Sequence, residues 1–138
     1  MKSITLFLKI GILGIALGII LGAFGAHSFK DIFTEYEMDI WNKGIFYQIT
    51  NFLGLLIIII LMRLEFIKYS KFLMVILILG ILFFSGSLYT IALCNAYLDI
   101  DHVIKKIMIP ITPLGGSMII MAWILLFFKI NNNKLNKV

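Results

Sequence analysis

GILGIALGIILGAFGAHSFK, residues 11–30, carries five glycines, Gly11, Gly14, Gly18, Gly22 and Gly25, at spacings of three and four. On a helix they share one face, which Ala26 extends. The uncharged run is about 18 residues, long enough to cross a bilayer. Helices in lipid associate by close backbone packing rather than by hydrophobic expulsion. A glycine stripe there predicts a central helix with its neighbours laid against it. His27, Ser28 and Lys30 stand at its exit as the first polar cluster of the chain.

Composition carries the same reading to the rest of the 138 residues, of which 62% are hydrophobic and 14% charged. Soluble domains are about half apolar and a quarter charged. The chain therefore reads as an all-α integral membrane protein. Its net charge of +5 does not point to nucleic acid, because the lysines flank apolar segments and form no basic face. The single cysteine, Cys94, excludes an internal disulfide. The N-terminus resembles a signal peptide, with Lys2 and Lys9 before an apolar run. That run is longer than a typical signal core and its glycines are periodic, so we read it as a span.

Four apolar segments, about 10–26, 45–62, 72–93 and 107–128, predict a four-helix bundle in one domain, residues 1–130, followed by a short tail, 131–138. Lys2, Lys9, Arg63, Lys68, Lys71, Lys129, Lys134 and Lys137 fall on one side of the membrane with Glu65. The other side has Lys30, Lys43, Lys105 and Lys106 with six acids. The positive-inside rule then places both termini in the cytoplasm.

The first outer connection is amphipathic. Phe29, Ile32, Phe33, Tyr36 and Ile40 recur with helical spacing. A short external helix is expected, capped by Ser28–Asp31, stopped by Gly44 and lying on the membrane surface, with Trp41 and Tyr47 in the aromatic belt. Helix 4 is expected to open on Pro110 and Pro113, followed by Gly115 and Gly116, with Pro113 placed to kink it.

Topology gathers the polar residues in the outer half of the bundle: His27 from helix 1, Gln48 and Asn51 from helix 2, Ser85, Ser87, Tyr89 and Thr90 from helix 3, and Thr112 and Ser117 from helix 4. The inner half is almost entirely apolar. Two roles fit this cluster, hydrogen-bonding glue between helices and a small outward-facing pocket. Gly14, Gly18, Gly22, Gly25, Gly86, Pro113, Gly115 and Gly116 are assigned to helix packing. No catalytic set, P-loop or metal spacing is present, and no acid or base stands in the middle of a span. His102 with Asp99 and Asp101 reads as a solvated loop rather than a metal site.

GAFGAHSFK at 22–30, YQITN at 47–51, FSGSLY at 84–89, ITPLGG at 111–116 and the later Trp123 resemble the segments shared by the family called domain of unknown function 423, the YgdD-like small membrane proteins. The resemblance covers nearly the whole chain with its blocks in order. It implies four transmembrane helices and the inner membrane of a bacterium, and it supplies no activity. Where members of that family usually carry histidine, this chain has Asn51.

The function expected from all this is a non-enzymatic binding or assembly role in the plasma membrane, with no cofactor. Its partners would be membrane lipid, a second copy or another membrane protein. The rival expectation is a small-solute transporter or channel that uses the outward-facing polar pocket.

Overall fold

The computed structural model describes residues 2–98 and 103–130, with the side chains described from residue 4 onward. The chain forms four helices, α1 (Lys2–His27), α2 (Glu35–Arg63), α3 (Lys71–Tyr97) and α4 (Val103–Lys129). Each is long and apolar enough to cross a membrane. In hydrocarbon a lone backbone amide has no water to bond, so apolar runs of this length close their hydrogen bonds internally as helices. The 99–102 connection, with the expected His102 loop, and the tail lie outside the described residues.

The glycine stripe of α1 packs on α2 in antiparallel register. A Cβ at Gly11 would come within 2.6 Å of Leu56, at Gly14 within 2.3 Å of the Phe52 ring, at Gly18 within 2.6 Å of Ile49 and at Gly25 within 2.8 Å of Trp41. The expectation that α1 is central needs correction. Its packing is chiefly with α2, whereas α2 also packs on α3, and α3 packs most extensively with α4. The stripe is one-sided, so it accommodates one neighbour and leaves the rest of α1 to lipid. The core lies instead between α2, α3 and α4, where Leu55, Ile58, Leu73, Met74, Leu77, Ile81, Ile119 and Ala122 are buried.

The separate external helix is also corrected. Residues 28–33 form turns, and a single helix then runs from Glu35 to Arg63 without a break at Gly44. Thr34 and Glu37 form the capping box in place of Ser28–Asp31. The Glu37 carboxylate accepts the Thr34 N–H at 3.0 Å and the Thr34 hydroxyl. Gly44 sits inside the helix because Tyr89 packs there; a Cβ would lie 2.6 Å from its ring. Phe29 and Phe33 fold back onto Trp41, which is buried. Its indole N–H donates to the Leu21 carbonyl at 3.0 Å, tying α2 to α1.

At the opposite end, Leu64–Ser70 turns the chain from α2 into α3. Glu65, at φ 60°, takes the left-handed position beyond α2, and the Phe66 N–H returns to the Leu61 carbonyl at 2.9 Å. In α4 the helix begins at Val103, ahead of the prolines, so Pro110 and Pro113 lie inside it rather than at its start. Pro113 withholds the N–H that would serve the Ile109 carbonyl.

Candidate functional site

Gln48 is the junction of three helices. Buried on α2, it donates through Nε2 to the Gly14 carbonyl of α1 at 2.8 Å and accepts the Tyr89 hydroxyl of α3 at 2.9 Å. The α1 side of this arrangement depends on glycine, because only a residue without a side chain brings the α1 backbone within reach of an amide on α2. One turn further along α2, Asn51 does the same toward α4. Its Oδ1 accepts the Trp123 indole N–H at 2.9 Å, and its own amide donates to the Tyr47 carbonyl at 2.8 Å. The Trp123 ring fills the notch left by Gly54, where a Cβ would stand 2.5 Å away.

Ser87 and Thr112 join α3 to α4, their hydroxyls 2.7 Å apart; Ser87 lies 2.8 Å from the Phe84 carbonyl and Thr112 3.3 Å from the Met108 carbonyl, so one hydroxyl donates across to the other while its partner donates within its own helix. Thr90 and Ser117 bond only within their helices, to Gly86 and Pro113 carbonyls at 2.9 and 2.8 Å. Of the expected cluster, Gln48, Asn51, Ser87 and Tyr89 therefore make bonds between helices or accept them. Ser85 differs: it is 1% exposed and its hydroxyl has no hydrogen-bond partner. His27 is exposed at the end of α1 and does not join the others.

The assigned packing residues divide in the same way. Gly115 lies directly against the α3 backbone, where a Cβ would stand 2.3 Å from the Phe84 nitrogen. A Cβ at Gly116 would lie 3.4 Å from the Phe84 ring. Gly22 has only a loose neighbour, Ile45 at 3.9 Å, and Pro113 is exposed. Gly86 is a correction: a Cβ there would meet nothing within 4 Å, so it is not a contact between helices. The glycine that faces Gly115 is Gly80, with 3.1 Å from its Cβ position to the Gly115 carbonyl. Gly80, Ser87 and Cys94 recur every seven residues, as do Gly115 and Ala122, and all five are buried. That heptad of small residues is the sequence signal for the α3–α4 seam.

Gly86 instead lines a half-open cleft of about 530 Å³ between α1 and α3, floored by Gln48 and Phe52 of α2. Ile10, Leu13, Leu17 and Ile20 form one wall, and Ile78, Leu82 and Ser85 belong to the other. Its surface is almost wholly apolar, and α4 contributes nothing to it. A shallower recess of about 440 Å³ lies at the α1–α2 connection, between Lys30, Glu35 and Asp39. Among the described residues no group of three His, Cys, Asp or Glu side chains is arranged to hold a metal ion.

The family described as Protein of unknown function (DUF423) matches residues 21–116 of the chain, a region that includes Gln48, Asn51, Ser87, Tyr89 and Gly115. A UPF0382 membrane protein of Staphylococcus epidermidis is 36% identical over 122 residues, covering 87% of this chain and 90% of the relative. The UPF0382 membrane protein YwdK of Bacillus subtilis is 31% identical and covers 87% and 91%. One from Haemophilus influenzae is 30% identical and covers 92% and 91%. No solved structure matches. With four helices fit to span a bilayer and a match of this extent, the chain belongs to the DUF423 family of uncharacterised, multi-pass membrane proteins.

Proposed function

We propose that this protein is a non-enzymatic component of the bacterial plasma membrane that binds an apolar molecule from within the bilayer. The observation that carries this reading is the division of labour in the bundle. Gln48, Asn51 and Ser87, three of the polar side chains in this half of the bundle, are engaged between helices. The large concavity is apolar and faces sideways, between α1 and α3. Ligand pockets of roughly 300–1,000 Å³ with predominantly apolar linings are the common form of small-molecule site. A transporter for polar solutes needs the opposite arrangement. With both termini cytoplasmic, as the lysine and arginine bias supports, the His27 end of the bundle faces outward.

The experiment is purification in native-lipid discs, followed by mass spectrometry of what co-purifies. One apolar species at a fixed ratio to protein is the expected result. A protein that carries no enriched apolar molecule over bulk lipid overturns the reading.

A further inference from the structure

We propose that residues 103–112 of α4 form a hinged strap, which swings on Pro110 and Pro113 away from the end of α3 while the rest of α4 stays seated. The movement opens the α3–α4 seam at the end of the bundle that holds His27 and uncovers Cys94.

The prolines make the hinge. A proline has no N–H to give the carbonyl four residues before it, and its ring crowds that carbonyl. Pro110 and Pro113 both lie inside α4, so two bonds of the helical ladder are missing within three residues. Helices bend where the ladder is interrupted in this way.

Packing differs on the two sides of the hinge. The buried residues of α4 are Gly115, Ile119, Ala122 and Leu126, and all of them follow Pro113. Gly115 lies against the α3 backbone at Phe84, and Trp123 is bonded to Asn51 of α2. These contacts hold the later part of α4 in place. None of residues 103–112 is buried: Lys105, Met108, Ile111 and Thr112 are half-covered and the others are exposed. A segment with little buried contact opens at a lower free energy than the packed remainder. Thr112, beside the hinge, lies 2.7 Å from the Ser87 hydroxyl and acts as the latch.

Register identifies what the strap covers. α3 and α4 run antiparallel, with Gly80 opposite Gly115 and Ile119, and Ser87 opposite Thr112. Cys94 stands seven residues, two turns or about 10 Å, beyond Ser87 on the same face of α3. The same step back along α4 from Thr112 arrives at Lys105, within the strap. Cys94 is buried there, and it is the single cysteine of the chain. Its thiol is therefore a built-in reporter, concealed when the strap is closed and reachable when it opens.

The test is the rate at which a small, membrane-permeant methanethiosulfonate modifies Cys94 of the full chain in lipid discs, well below the melting temperature. Wild type is expected to react at a measurable rate. Thr112→Val, which removes the latch, is expected to raise that rate about threefold, the scale of such a hydrogen bond in a membrane. Pro113→Ala returns an N–H to the Ile109 carbonyl and is expected to lower the rate about three- to tenfold. Pro110→Ala gives the same direction should Pro113→Ala fail to fold. Gln48→Leu weakens the junction of α1, α2 and α3, so it is expected to lower the melting temperature and leave the rate unchanged. A thiol that reacts only as the protein melts overturns the proposal. So does a rate that follows the melting temperature across these variants, because the opening is then global unfolding. Proline variants that react as fast as wild type remove the hinge.

Discussion

The side-chain amide of Gln48 donates to the backbone carbonyl of Gly14 at 2.8 Å, across 34 positions of sequence. The same side chain receives the Tyr89 hydroxyl, so one residue holds α1, α2 and α3 together. Gln48→Leu removes both bonds and leaves a half-buried phenol without its acceptor. Losing a buried partner costs about 1–3 kcal/mol. The melting temperature in detergent is expected to fall accordingly; a variant that melts with wild type shows the junction to be dispensable.

Alanine at the glycines separates tight contacts from open ones. Gly115→Ala drives a methyl into α3 backbone, which has no rotamer to yield, and Gly14→Ala drives one into the Phe52 ring. Overpacking of this kind costs about 1–3 kcal/mol, with Gly115 at the upper end. Gly86→Ala meets open space and should gain about 0.5–1 kcal/mol from restricting the unfolded chain. Gly22→Ala falls between. Thermal melts of the four variants give the ranking, and equal melts would remove the argument from close approach.

Asn51 and Trp123 make a pair whose two halves fail differently. Asn51→Leu strands the indole N–H, and Trp123→Phe strands Oδ1 while opening the notch at Gly54. Each is expected to destabilise by about 1–3 kcal/mol, and the double variant by less than the sum. Asn51→His keeps a nitrogen acceptor and should melt closer to wild type than Asn51→Leu. Additive losses in the cycle would show that the two side chains do not interact.

Ser85 and Ser87 lie two residues apart on α3 and predict opposite outcomes. Ser87→Ala breaks the bond to Thr112, worth about 0.6 kcal/mol on average in membrane proteins. Ser85→Ala removes a buried hydroxyl with no partner, so the protein should melt at the same temperature or higher. A clear loss on Ser85→Ala would reveal a bonding partner for that hydroxyl.

Topology is checked by cysteine labelling in intact cells, in a Cys94→Ala background. An impermeant reagent is expected to reach Glu35→Cys and not Asn132→Cys. The reverse pattern overturns the orientation drawn from the basic residues.

Four long apolar helices and the shared glycine face of α1 were legible from residue type and spacing alone, although the helices, at 26–29 residues, run beyond the apolar segments that announced them. The reason is that lipid leaves the backbone one local solution, and helical period then decides which side chains share a face. The same local logic misread the first connection. Phe29, Ile32, Phe33, Tyr36 and Ile40 have helical spacing, yet the first three precede the cap at Thr34 and fold back as turns. Periodicity does not reveal where a capping box will begin a helix when two candidate starts stand six residues apart.

What only the tertiary structure decided is which faces meet. Gly80 and Gly86 are the same residue on the same helix, one pressed against Gly115 and the other open to a cleft. Gln48 and Asn51 share a side of α2, yet one reaches α1 and α3 and the other reaches α4. These outcomes depend on the rotation of each helix about its axis and on its tilt against neighbours distant in sequence. Spacing within one segment carries no information about either. The gap between α1 and α3 exists because the glycine face of α1 fits α2 alone.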